Sequence, residues 1–185
     1  PSPKKSLCVS RSFAHATSEF NSLRAALSFF ACRACVKLRE QKSYTSSLCV
    51  FVLSVKYENG LYMKYPTSQL VSLEAPTQDT SEILKVSHQC LWSLYQKGET
   101  YKKCGIVLLN LTLDRNFIPD FFASQRQEKR SHLMSCIDAM NKRWGKDTLT
   151  FASAKLPLNC QPKAERLSIY STTDKDKLPI VTAKA

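Results

Sequence analysis

The sequence predicts an α/β fold, a two-layer β-α-β-β-α-β sandwich with a small helical C-terminal extension. Three observations predict it. Apolar residues recur at helical spacing over residues 20–38 and again over 83–94. Strand-length runs rich in Val, Ile, Leu and Phe lie before, between and after those stretches. The 185 residues suffice for one core and a smaller appended unit, and no apolar run approaches the ~20 residues of a membrane span.

Leu7 to Phe13 reads as the first strand. Thr17 or Ser18 is placed to cap a helix with Glu19 in its first turn, and Phe20, Leu23, Leu27, Phe30, Ala34 and Leu38 form one apolar face. The small polar residues Ser43 to Ser47 break that pattern. Leu48 to Val55, the longest strongly apolar run, is the second strand. Glu58-Asn59-Gly60 signals a turn, but the connection to Ser68 is longer than a tight hairpin. Gln69 to Leu73 then forms the third strand, which Pro76 ends.

Asp79 caps the second helix, with Glu82 three residues on in a variant of the capping box. Ile83, Val86, Cys90, Leu91 and Leu94 make its buried stripe, and Gly98 stands where a left-handed residue is wanted. Lys103 to Leu111 is the fourth strand. One sheet face packs on the helices and the other is left to meet a partner. In the first strand Arg11 shares parity with Val9 and Phe13. Either a bulge lifts it off the apolar face, or the helix-facing residues are Cys8, Ser10 and Ser12. Beyond Leu113, a third helix fits 128–144, with Leu133, Ile137, Met140 and Trp144 on one apolar face and Gly145 closing it. Thr148 to Ala152 reads as a short strand, and 155–185 as extended or poorly ordered chain.

The formal net charge is +12, and residues 1–44 hold 8 Lys/Arg against 2 Asp/Glu, so half of the excess lies in that first quarter. A polyanion is the first partner such an excess suggests; a soluble basic surface is the plainer reading. The eight cysteines lie mostly inside apolar patterns, which favours buried, reduced thiols of a cytoplasmic protein. Cys32-Arg33-Ala34-Cys35 is a lone C-x-x-C without the second pair that zinc needs, and His132 and Cys136 are at most half a metal site. No signal peptide is recognisable, no metal site is expected, and no membrane partner is expected.

Four stretches carry a resemblance to a known family. They are Val9-Ser10-Arg11-Ser12-Phe13, Lys37-Leu38-Arg39-Glu40-Gln41, Pro76-Thr77-Gln78-Asp79-Thr80, and Tyr101-Lys102-Lys103-Cys104-Gly105-Ile106-Val107-Leu108 with Gly98 before it; Leu133-Met134, Asp138, Asn141 and Gly145, with Phe151-Ala152 farther on, add to it in the appended region. In this order the chain resembles the little-finger domain and appended C-terminal region of the Y-family translesion DNA polymerases, nearest to their bacterial polymerase V branch. The resemblance divides it into a linker at 1–6, a little-finger-like DNA-binding domain at 7–113, a linker at 114–127 and a small C-terminal region at 128–185.

The resemblance implies a non-catalytic DNA-binding region that grips primer–template backbone without sequence preference, in the SOS response to DNA damage. Ser10, Arg11 and Ser12 would contact phosphates, with Lys4, Lys5, Lys42, Lys102 and Lys103 adding basic contacts. Hydroxyl, guanidinium and ammonium groups suit phosphate oxygens without reading bases. For Arg39, an end-of-helix structural role is the first reading. The family's paired carboxylates for two metal ions have no counterpart here, so the chain is expected to be inactive alone and to need no cofactor, magnesium belonging to a full-length catalytic relative. The family's clamp-binding peptide corresponds to Ile118-Pro119-Asp120-Phe121-Phe122, where Phe121 and Phe122 keep the hydrophobic pair while Ile118 replaces the glutamine. That predicts a degraded sliding-clamp contact. The alternative function is a stand-alone interaction module that docks on a clamp or another SOS protein. An RNA-binding module of the same topology is a third reading, for which Phe51 is available but the glycine-aromatic pattern is absent.

Overall fold

In the computed structural model, residues 4–58, 61–114 and 124–155 are described. The element order is β1 (Leu7–Thr17), α1 (Phe20–Glu40), β2 (Ser43–Glu58), β3 (Leu61–Thr77), α2 (Thr80–Leu94), β4 (Thr100–Leu113), α3 (Ser124–Trp144) and a 3-10 turn at Ala152–Ala154. The four strands form one sheet in the order β1-β4-β2-β3, every neighbouring pair antiparallel. Each helix therefore connects two parallel strands across an intervening antiparallel one, the split β-α-β arrangement that the sequence predicts.

The core lies between one sheet face and α1 with α2. Leu23, Leu27 and Leu38 of α1, Ile83 and Leu91 of α2, and Leu48, Val50, Ile106 and Leu108 of the central strands are fully buried. Asp79 is the N-cap of α2, its side chain accepting from the Ser81 N–H at 2.8 Å, as the sequence indicates. At α1 the expectation fails. Glu19, not Thr17 or Ser18, is the N-cap, and it has no side-chain cap bond; Thr17 Oγ1 instead accepts the Glu19 N–H at 3.2 Å.

The strands are longer than their apolar runs. Ser43 to Ser47 belong to β2, because Thr45 and Ser47 are buried and bonded within the sheet: Thr45 Oγ1 donates to the Leu109 carbonyl at 2.7 Å. Glu58 pairs with Leu61, so β2 and β3 form a tight hairpin in place of the expected long connection. Pro76 does not end β3; it lies inside it, one residue before its last, on an edge strand where a missing N–H costs no ladder bond. No strand forms at Thr148–Ala152, where a bend leads into the 3-10 turn.

Helix α3 docks on the helical layer by polar contacts. Arg39 holds Asp138 through both carboxylate oxygens, at 2.6 and 2.8 Å, and donates to the Gln78 carbonyl and Thr80 Oγ1. Arg130 is 3.2 Å from Asp79, and Arg33 reaches Asp147 at 2.6 Å. Met134 and Ala154 are buried in this contact, and Phe151 packs against the core.

Candidate nucleic-acid interface

Register and burial together assign the sheet faces. Val50 and Val52, buried at 0% and 1%, face the helices, so Cys49, Phe51, Leu53 and Val55 of β2 lie on the open side. Their β4 partners there are Val107, Gly105 and Lys103, and across β4 stand Cys8, Ser10 and Ser12 of β1. On β3 the same face carries Lys64, Ser68 and Leu70, opposite Val55, Phe51 and Cys49. No described helix covers this face.

Its centre depends on a glycine. A Cβ on Gly105 would stand 2.3 Å from Ser10 Cβ and 2.5 Å from Phe51 Cζ. Without a side chain there, the Phe51 ring lies across β4 beside Ser10, and Lys103 Nζ sits 5.7 Å from its centroid. The product is a half-buried apolar floor bordered by hydroxyls on one edge and an ammonium at one end. The sequence points to Ser10, Ser12 and Lys103 separately; their meeting over Phe51 and Gly105, and Lys64 on the same face, it does not foresee. The one signal for it is that Leu48 to Val55 is apolar at both parities, so the face away from the helices is apolar too.

The other expected residues divide. Arg11 stands opposite the buried Cys104, so it has helix-side parity and is exposed there, away from Ser10 and Ser12. The bulge in β1 comes later, between Ser12 and Thr17, and does not move it. Lys102 is the extra residue where β4 breaks register against β2, and its Nζ is 3.4 Å from the Ala14 carbonyl that accepts it. That contact ties β4 to the bulged end of β1. Lys4, Lys5 and Lys42 gather at the opposite end of the sheet. The Lys4 backbone exchanges hydrogen bonds with the Gln41 side chain at 3.1 and 2.9 Å, and Lys42 adopts a left-handed φ of 52° in the turn from α1 to β2. From Lys42 to the level of Lys103 is about 35 Å of strand. Ile118, Asp120, Phe121 and Phe122 lie outside the described residues.

The Cys32 and Cys35 pair lies in α1, on the other side of the sheet from this face. Burial pushes the Cys32 and Cys35 thiols up to about 11 and about 12, which keeps both protonated. Among the described residues no three His, Cys, Asp or Glu converge as a metal site, and no helix is long and apolar enough to cross a membrane.

A family model described as the impB/mucB/samB family C-terminal domain matches residues 4–120, and a second, for a domain of unknown function, matches residues 126–181. Among curated relatives, protein UmuC of Salmonella typhimurium is 30% identical over 92% of this chain and 40% of its own length. Protein MucB of the same species is 27% identical over 100% of this chain and 43% of its own. The chain thus spans about two fifths of the relatives it matches. A DinB-family error-prone DNA polymerase from Sulfolobus solfataricus shows 13% identity and a TM-score of 0.44 over 58% of this chain and 30% of that one. The first of the matched models covers well over half of the sequence, and on that ground this chain is a member of the impB/mucB/samB family, carrying its C-terminal domain.

Proposed function

We propose that this chain is the DNA-gripping region of a Y-family translesion DNA polymerase acting in SOS mutagenesis in the bacterial cytoplasm. Its open sheet face lies along the backbone of primer–template DNA. One observation carries the reading: the helix-free face that joins Ser10 and Ser12, Lys103 and the flat Phe51 ring over Gly105. Hydroxyls and an ammonium can donate to phosphates of any sequence, and few groups on this face are suited to reading base edges. The basic residues at both ends of the sheet extend the same attraction. Family membership supports this choice of partner.

The face assignment separates Lys103 from Arg11. Fluorescence anisotropy of labelled primer–template DNA should show Lys103→Glu weakening binding by roughly tenfold, with Arg11→Glu costing less, since a phosphate contact at the interface outweighs a charge on the far side. Equal affinity of Lys103→Glu and the wild type, or a larger loss from Arg11→Glu, would overturn the placement of DNA on this face.

A further inference from the structure

Helix α3 has an apolar stripe that no other described element covers. Arg130, Met134, Asp138 and Asn141 are turned toward α1, α2 and the following turn. Beside them run Leu133, Ile137, Met140 and Trp144, at spacings of four, three and four, the spacing of a two-helix seam. Leu133, Met140 and Trp144 are 54%, 39% and 57% exposed. Leu149 lengthens the stripe: Asn141 receives its N–H at 2.8 Å and donates to its carbonyl at 2.9 Å, which leaves the side chain 41% exposed. The Arg143 guanidinium lies 4.8 Å over the Trp144 ring and steadies it.

The flank away from the body is basic. Lys129 and Arg143 border the stripe, His132 lies one row farther, Lys146 follows the end of the helix, and all four are exposed. Of the acids whose side chains are described nearby, Asp138 is held by Arg39 and Asp147 by Arg33. We propose that this stripe receives one α-helix of a partner protein, a helix with its own seam of apolar residues and with Asp or Glu along the edge that meets Lys129 and Arg143. Complementary flanking charge selects such a helix, and the apolar seam holds it. A second copy is disfavoured by the same charges, because an antiparallel pair sets Lys129 against Arg143. Nucleic acid satisfies the flank and leaves the seam wet. The stripe is distinct from the open sheet face, so failure of either reading leaves the other standing.

The test titrates the full chain with a synthetic helical peptide of roughly four heptads, Leu at the seam and Glu on the flanks, and with a twin bearing Lys on the flanks. The Glu peptide should bind and the Lys twin should bind at least about tenfold more weakly. Leu133→Asp with Met140→Asp should abolish binding, and Lys129→Glu with Arg143→Glu should reverse the preference between peptides. These positions are exposed, so unchanged thermal unfolding separates loss of the seam from loss of the fold. Equal binding of the two peptides, retained binding by the apolar variant, self-association of the chain in sedimentation, or preference for phosphatidylserine vesicles over the Glu peptide would each overturn the proposal.

Discussion

Gly105 decides where Phe51 can lie. The position an alanine methyl would take is already occupied, by Ser10 Cβ at 2.3 Å and by the Phe51 ring at 2.5 Å. Phe51 can swing away, but Ser10 Cβ moves only with the β1 backbone. Gly105→Ala should therefore destabilise the chain by about 2 kcal/mol, a typical cost of overpacking, read as a lower urea midpoint with an unchanged slope. Phe51→Ala combined with Gly105→Ala relieves only the ring clash, so the double variant should remain less stable than Phe51→Ala alone. The motif around Gly105 was visible in the sequence; the reason for the glycine was not, because it depends on two strands that are distant along the chain.

At the scale of elements, two polar contacts within the helical layer each yield a prediction. Arg39 is 10% exposed and bonds Asp138, Gln78 and Thr80 at once, so it joins α1 to the start of α2 and to α3. Arg39→Ala strands the Asp138 carboxylate and should cost about 3 kcal/mol in denaturant unfolding; Arg39→Lys should recover only part of it, since an ammonium cannot reproduce the two-pronged contact. Between α1 and α2, the Ser28 hydroxyl donates to the Arg24 carbonyl at 2.7 Å, so His88 Nε2, 2.7 Å away, is left to donate to Ser28 Oγ. Burial, then the charge of Arg24, lowers the His88 pKa below its ordinary value. The unfolded chain therefore takes up this proton first. The contribution is complete above about pH 6.5 and is lost as the pH falls from there through the lowered folded value. The thermal midpoint should drop between neutral and mildly acid pH, and the part of that drop due to this site should vanish in His88→Gln.

The elements also show what was legible in the chain. α1, α2 and the two central strands were, because one face of each is buried and their apolar spacing records it. The first half of β3 was not: residues 61–68 are exposed wherever their burial is described, so no alternation marks them, and the hairpin had to be recognised from Asn59-Gly60 alone. α3 misled in a different way. Its apolar residues announced a helix correctly, but the face that docks is the polar one.

For the whole molecule, charge is the property that reaches farthest. Lys4, Lys5 and Lys42 stand at one end of the sheet, and Lys64 and Lys103 are on its open face toward the other. If about four of these five meet phosphates, affinity for duplex DNA should fall about 150-fold between about 50 and 200 mM salt, with similar slopes for unrelated sequences. Binding that is flat against salt, or that singles out one sequence, would contradict a grip on the backbone.

The strand order has a consequence in time. β1 pairs only with β4, and β4 is the last of the four strands in the chain. During synthesis the β2–β3 hairpin is the only part of the sheet that can form from neighbouring residues, because its partners are adjacent in sequence. Until residues 100–113 emerge, β1 has no strand to join and the central position is vacant. β4 must then slot between two strands made long before it, completing the sheet, the buried core and the open face in a single late step. A chain that stops before Thr100 would have two helices and a hairpin, with no closed sheet and no open face yet assembled.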